Sequence, residues 1–255
     1  MANSARLDAA LAAASAAAEL IRSAYAGEIA ARAKADGSPV TDADLAAEAA
    51  IRRIVEARFP EDGFYGEESA AARMDAEYVW IVDPIDGTKS FVRRYPMFST
   101  QIAVMRRGRI ELGVSSAPVF GEVAWAERGA GARLGSALLA VSRIAALERA
   151  TLSTGNLRSL AGGPRWAALG RLVTRLDRIR GFGDFLQYHL LAAGKIDAVL
   201  ESDIHVEDIA ALCVIVEEAG GRVTDLEGGP IRLETRNILA SNGVLHDSIL
   251  EALNG

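Results

Sequence analysis

Trp80-Ile81-Val82-Asp83-Pro84-Ile85-Asp86-Gly87-Thr88-Lys89-Ser90 constrains this chain more than any other stretch: an apolar run breaks off into two carboxylates separated by a proline. Residues 78–82 are β-branched and aromatic, as in a short buried strand. Pro84 has no amide proton for a sheet ladder, so the strand is predicted to stop there. Asp83 and Asp86 would then leave a rigid strand end on a tight turn. Carboxylates held that close repel each other unless a cation lies between them. Hard cations such as Mg²⁺ take oxygen ligands of this kind. Gly87 allows the backbone to approach a ligand closely, and Thr88 adds a hydroxyl. By residue type alone the same letters also make an ordinary turn.

Length and composition leave room for a substantial core. The chain has 255 residues, 50% of them hydrophobic and 24% charged, which bounds it to one large domain or two modest ones. A net charge of −6 argues against a nucleic-acid partner held by bulk electrostatics. Arg93-Arg94 and Arg106-Arg107 are local basic pairs compatible with a small anionic substrate. Cys213 is the only cysteine, which excludes an intrachain disulfide and a cysteine-based zinc site. His189, His205 and His246 are widely spread and form no zinc-protease pattern. The Ala-rich start lacks a basic segment followed by a strong apolar block, and no apolar run is long enough to span a bilayer. The expectation is a cytoplasmic protein with neither a membrane nor a nucleic-acid partner.

Leu7, Leu11, Ala14, Ala18, Ile21 and Tyr25 recur at helical spacing among strong helix formers, predicting a first helix that ends before Gly37. Gly37 and Pro39 mark a loop over 34–44. Within it, Thr41 with Asp44 three residues on resembles a capping box for a second helix reaching about Phe59. Asp42 and Asp44 suit such an N-terminus whether or not they do anything else. Residues 60–63 read as a turn, and 64–69 as a short strand ending in Glu67 and Glu68. Neighbours on an extended chain face opposite sides, so one of the two can join the Asp83/Asp86 cluster; a solvated acidic pair is the alternative. Residues 98–104, 110–117 and 122–127 then read as strands of an antiparallel meander. The glycine-rich 129–135 has no following helix with a P-loop lysine and reads as a turn.

From about Ala137 the period changes. Short apolar strands (151–153, 177–180, 198–200, near Val223, 237–240) alternate with helices (166–172, 185–193, 208–219 and a last one starting near His246), the pattern of an α/β lobe. The chain thus divides into an N-terminal α+β lobe at 1–136 and a C-terminal α/β lobe at 137–255. In the second lobe, Gly181-Phe182-Gly183-Asp184 joins a strand to a helix where backbone can approach a ligand. Residues 201–208 form an acidic loop entering an apolar helix. His205 alone reads as a structural histidine, and Asp208 alone as a first-turn helix carboxylate.

Taken together these stretches resemble one family. Gly66-Glu67-Glu68, Asp83-Pro84-Ile85-Asp86-Gly87-Thr88, Asp208-Ile209-Ala210-Ala211 and Glu218-Ala219-Gly220-Gly221 follow the order of the inositol monophosphatase-like superfamily, and Lys34 with Val40-Thr41 and Asp44 match it too. The resemblance covers nearly the whole chain. Lys89-Ser90-Phe91-Val92-Arg93 and Gly181-Phe182-Gly183-Asp184-Phe185 resemble the histidinol-phosphatase branch in particular. One departure is Glu207, where the family usually has Trp just before the late aspartate.

The resemblance implies a five-layer α-β-α-β-α sandwich, usually a homodimer, with Mg²⁺-dependent and often Li⁺-sensitive phosphomonoesterase activity on a small phosphorylated substrate. It implies that Glu67, Asp83 and the Ile85 carbonyl hold one Mg²⁺, and that Asp83, Asp86 and Asp208 hold a second, with a weaker third ion near Asp44. Gly87 and Thr88 would bind phosphate; Asp86, Lys89, Ser90, Gly183, Asp184, Glu201 and Asp208 complete the expected substrate contacts. No Cys, His or Ser sits in a recognisable nucleophile arrangement, so direct attack by water is expected. Glu67 and Thr88 would take up its proton, with Asp44 on the water side. Asp184 and Glu201 would favour the cationic leaving group of histidinol phosphate over a neutral polyol. The alternatives are inositol phosphate or another sugar or nucleotide phosphate and, from a different class, a non-catalytic metal-binding protein on the same fold.

Overall fold

Ser4 starts the first helix by accepting a hydrogen bond from the Leu7 amide, and alanines carry it through 22 residues as α1 (Ala5–Ala26). The structure, a computed structural model, describes residues 3–35 and 37–255. Helix α1 stops at Gly27, ten residues before the predicted end at Gly37, where Asp36 lies outside the described residues. The chain instead forms a hairpin, β1 (Ala31–Ala33) with β2 (Pro39–Thr41), in which Ala31 pairs with Thr41. Helix propensity in 28–34 is overridden because Gly27 breaks the helix and cross-strand pairing takes the segment. The capping box forms as expected: Thr41 and Asp44 bond reciprocally at the start of α2 (Asp42–Arg58).

β3 (Gly63–Gly66) lies parallel to β4 (Tyr78–Asp86). After the short α3 (Thr88–Val92), an antiparallel meander follows: β5 (Ser99–Arg106), β6 (Arg109–Ala117), β7 (Glu122–Glu127), β8 (Gly131–Leu134) and β9 (Ala137–Leu138). Together they make a seven-stranded sheet in the order β3-β4-β5-β6-β7-β8-β9. Three expectations change. β3 ends at Gly66, so Glu67 and Glu68 lie beyond the strand. β4 does not stop at Pro84: its register against β5 shifts between Asp83 and Asp86, and Thr100 Oγ1 bonds the Pro84 carbonyl at 2.8 Å in the gap. A proline is tolerated at such a bulge because no ladder bond is asked of it. And 129–135 is not all turn, since 131–134 pairs with β7 as β8.

The second sheet holds β10 (Thr151–Thr154), β11 (Arg178–Arg180), β12 (Ala198–Ser202), β13 (Arg222–Thr224) and β14 (Asn237–Ser241) in the order β11-β10-β12-β14-β13. Its helices are α4 (Leu157–Gly162), α5 (Trp166–Val173), α6 (Asp184–Ala192), α7 (Val206–Glu218) and α8 (His246–Asn254). The change of pattern near Ala137 falls at the last strand of the large sheet, since β9 covers Ala137–Leu138.

Three apolar layers weld these elements into the α-β-α-β-α sandwich. Leu7, Ala10, Ala14, Ile21, Ala47 and Ile51 of α1 and α2 bury one face of the large sheet through Trp80, Val82, Ile102 and Val114. Helices α6 and α7 fill the space between the sheets, with Phe185, Tyr188, Leu212, Ile215, Val199 and Ile238 in one cluster. On the far side, α5 and α8 set Leu169, Leu172, Ile249 and Leu253 against Leu152, Leu200 and Leu239. Helix α7 is apolar nearly all round, as a helix between two sheets has to be. It lies so close to β6 that a Cβ on Gly113 would meet the Ala211 carbonyl at 2.5 Å. That contact sets the N-terminus of α7, with Asp208, over the end of β4.

Candidate metal centre

Asp83 and Asp86 stand on either side of the β4 bulge, and Asp208 comes from the first turn of α7. Each offers one oxygen, and the three oxygens lie within 4.8 Å of one another. The backbone fixes two of them. Asp83 Oδ1 accepts from the Ile85 amide at 2.9 Å, and Asp208 Oδ2 accepts from the His205 amide at 2.7 Å in a capping box. Asp83 is buried, and burial, then the charges of Glu67, Asp86 and Asp208, push its carboxyl well above the ordinary range. Asp86 is raised in the same way by burial, then by Asp184, Asp208 and Glu201. Burial is also the main cause that lifts Asp208 to about 7.

Glu67 and Glu68 follow β3, and the Glu67 amide bonds the Val82 carbonyl. Lys34, from the β1–β2 connection, reaches both: its Nζ is 2.7 Å from Glu67 Oε1 and 2.7 Å from Glu68 Oε1. The Glu68 side chain is the more deeply buried, at 6% exposure against 27% for Glu67, and burial raises its pKa. Glu67 is among the charges that raise Asp83, yet the expected alternation does not apply: the two glutamates lie on a bend beyond β3 and both face Lys34.

Asp44 has no exposed surface. Its Oδ2 accepts from the Thr41 amide and hydroxyl, and Thr88 Oγ1 lies 3.3 Å from its Oδ1. The Thr88 hydroxyl is also 3.0 Å from the Ile85 carbonyl oxygen. Thr88 therefore sits between the bulge and α2. Gly87 is left-handed, φ +90°, and a Cβ there would meet the Met97 carbonyl at 2.6 Å. Of the two residues that follow, Lys89 is exposed and Ser90 is buried on the inner side of α3.

The second sheet and its helices supply the other wall. Gly183 (φ +74°) turns the chain into α6, and Asp184 (φ +42°) is its first residue, raised to about 6 by burial. Glu201 on β12 accepts from Gln187 Nε2 at 2.8 Å and from Tyr188 OH at 2.9 Å, both on Oε2. Burial, ahead of the Asp184 and Asp208 charges, pushes it to about 8. Asp86, Asp184, Glu201, Asp208, Tyr188 and Asn156 line a cavity of about 50 Å³. A larger cavity of about 410 Å³, between the β5–β6 turn, α7 and residues 230–234, is lined by none of these carboxylates. Tyr188, Gln187 and Asn156 escape a sequence reading, although Tyr188 falls four residues after Asp184 on one helix and so shares its face. Glu207 is buried beside Tyr65, whose phenol it helps to raise after burial; its Oε1 lies 3.9 Å from His205 Nδ1 and its Oε2 has no partner.

Asp83, Asp86 and Asp208, with Asp184 and Glu201 beside them, thus converge on one acidic hollow, while Lys89 is exposed and Ser90 is buried on the inner side of α3. Its donor set is all oxygen, and the crowded carboxylates are raised for want of compensating charge, which suits a hard divalent cation such as Mg²⁺. Among the described residues no helix is long and apolar enough to cross a membrane.

The model of the inositol monophosphatase family matches residues 3–255. A histidinol-phosphatase from Mycobacterium tuberculosis is 42% identical over 231 residues, covering 87% of this chain and 86% of that protein. A histidinol-phosphatase from Streptomyces coelicolor is 39% identical over 233 residues, covering 87% and 86%. The crystal structure of the extragenic suppressor protein suhB from Bartonella henselae superposes with a TM-score of 0.90 at 32% identity, covering 98% of each chain.

Proposed function

The chain belongs to the inositol monophosphatase family and is a phosphatase of that family; we propose that its substrate is L-histidinol phosphate, hydrolysed with Mg²⁺. The observation that carries this reading is the cavity shared by Asp86, Asp184, Glu201 and Asp208. A leaving group at its mouth meets Asp184 and Glu201, the two acidic side chains there that are not assigned to a cation. Histidinol, with an amine and an imidazole, gains from that field where a neutral polyol does not. The names of the two bacterial relatives point the same way.

Glu67, Asp83 and the Ile85 carbonyl would hold one cation, and Asp83, Asp86 and Asp208 a second. When bound, the cations would acidify the attacking water and offset charge on the phosphoryl oxygens. The protein's own part begins with Gly87 and Thr88, whose amides would seat the phosphate. Thr88 Oγ1 has its hydrogen directed at Asp44 Oδ1 or the Ile85 carbonyl. Its lone pairs are left to receive a proton from water, with its own proton moving to Asp44 Oδ1. Glu67 would orient that water. Lys89, exposed at the rim, would meet the phosphate from solvent. Ser90, being buried, would act by holding α3 in place rather than by touching substrate.

Phosphate release from histidinol phosphate and from inositol 1-phosphate, measured side by side with and without Mg²⁺, tests the proposal. A kcat/KM for histidinol phosphate at least tenfold higher is expected. Equal or reversed values would sink the assignment. The homodimer expected from the resemblance belongs to the same reading and is checked by size-exclusion chromatography.

A further inference from the structure

Beneath the acidic hollow lies a row of polar side chains that the proposed chemistry leaves unused. The sheet ladder pairs Asp83 with Gln101 and Gln101 with Ser115 across β4, β5 and β6. Directly paired residues project from the same face of a sheet. Ser99, Gln101 and Ser115 have no exposed surface, and His189 on α6 is 2% exposed. Polar groups this deep have to satisfy one another.

Most of their polar atoms do so, Gln101 Oε1 and His189 Nδ1 being the two without a hydrogen-bond partner. Gln101 Nε2 donates to Ser99 Oγ at 2.7 Å and to Ser115 Oγ at 3.1 Å. Ser99, accepting from Gln101, turns its own hydrogen to Asp86 Oδ2 at 3.4 Å. Ser115 Oγ lies 2.9 Å from His189 Nε2, and because it accepts from Gln101 its own hydrogen is free for that nitrogen. With Nε2 accepting, the neutral imidazole carries its proton on Nδ1, which faces Glu122 Oε2 at 3.6 Å. The Glu122 carboxyl is held below the usual range by that histidine. Gln101 is therefore the source of two arms. One ends on Asp86 in the hollow; the other ends on Glu122 at the protein surface.

We propose that Gln101 is a positioning residue: through Ser99 it holds the Asp86 carboxylate for the second cation, while Ser115, His189 and Glu122 hold the Gln101 amide in its donating orientation. The alternative orientation shows what is at stake. Turned over, the amide would offer Oε1 to both serines, and Ser99 would donate to Gln101 instead of to Asp86. Asp86 would then face the Asp184, Asp208 and Glu201 charges without its one hydroxyl donor. Partners of this kind behind a cation's ligands typically change affinity by about 10–100-fold. The inference rests on the metal reading above but not on the choice of substrate.

Isothermal titration of the purified full chain with MgCl₂ tests it directly. Ser99→Ala removes one buried hydroxyl, and Gln101→Leu replaces the amide by a side chain of similar size. Each is expected to weaken Mg²⁺ binding by about tenfold. The double variant should be no weaker than either single one, because both act along one path. Wild-type Mg²⁺ affinity in Ser99→Ala, or additive losses in the double variant, would overturn the proposal. If Gln101→Leu does not fold, Ser99→Ala alone decides. A wild-type chain that binds no Mg²⁺ would instead remove the metal reading itself. Failure to hydrolyse histidinol phosphate would touch only the substrate. The ¹⁵N shifts of His189 give a second readout: an Nδ1–H tautomer is expected, and an Nε2–H tautomer would contradict the direction of the chain.

Discussion

Lys34 and Glu67 are joined by an ion pair of 2.7 Å, so a side chain from the β1–β2 connection rests on the carboxylate proposed to hold the first cation. The same ammonium also neutralises Glu68. Lys34→Met leaves two glutamates side by side with no shared cation. We expect the metal-free protein to lose on the order of 1 kcal/mol, between the values for exposed and buried pairs. The melting temperature should fall by a few degrees, and the rise on adding Mg²⁺ should become larger. A melting curve unchanged by the substitution would show that the pair carries no stability.

Asp208→Asn removes one of three converging carboxylates. The expected result is a split: higher stability without metal, because repulsion with Asp83 and Asp86 is relieved, and activity lower by at least about a hundredfold. The stabilisation by Mg²⁺ should shrink as well. Calorimetric melting and phosphate release, run on one preparation, read both halves.

The raised carboxyls fix the sign of a pH dependence. Asp184, Asp208 and Glu201 stand at about 6, about 7 and about 8, against ordinary values of 3.8, 3.8 and 4.5. Across that window the folded chain holds more protons than the unfolded one, so stability falls as pH rises. Without metal, the melting temperature should be higher at about pH 5.5 than at about pH 8. Saturating Mg²⁺ should reduce or reverse the difference. A metal-free protein that gains stability over this range would show that other groups dominate.

Gly87→Ala places a Cβ 2.6 Å from the Met97 carbonyl at a residue whose φ is +90°. Strain of about 1–3 kcal/mol is expected, with α3 and Thr88 displaced. KM should rise and the melting temperature should drop together; a variant with wild-type KM would separate Gly87 from phosphate binding.

Asp184→Asn keeps the shape of the cavity wall and removes a charge. KM for histidinol phosphate should rise more than KM for an uncharged sugar phosphate, by severalfold. Equal effects on the two substrates would place Asp184 outside the leaving-group pocket.

What could be read from the sequence was local or carried by motif. The Thr41–Asp44 capping box depends on residues three apart, and it forms. The strands of the meander follow from short apolar runs between glycines, and they too lie close to where the sequence puts them. What could not be read depends on partners far along the chain. The end of α1 is lost to a hairpin that needs 31–33 and 39–41 together. β4 continues past Pro84 because Thr100, on another strand, bonds the proline carbonyl. Gln187 and Tyr188 meet Glu201 because α6 packs on β12, and neither carries a motif. The Ser99–Gln101–Ser115 chain is a matter of cross-strand register, which no single stretch reveals.

The strand order of the second sheet has a bearing on how the protein is made. β12, which bears Glu201, is flanked by β10 and by β14, and β14 (Asn237–Ser241) follows it about 35 residues later in the chain. Asp208, on α7, lies between β12 and β14 in the chain. A chain still on the ribosome can complete the large sheet while lacking both the last carboxylate and the strand that seals the wall behind it. The acidic hollow therefore assembles only after the large sheet, once α7 and β14 have followed it out. Chains that stop before Asp208 carry only part of the proposed cation site, so Mg²⁺ would stabilise only chains that have passed that point.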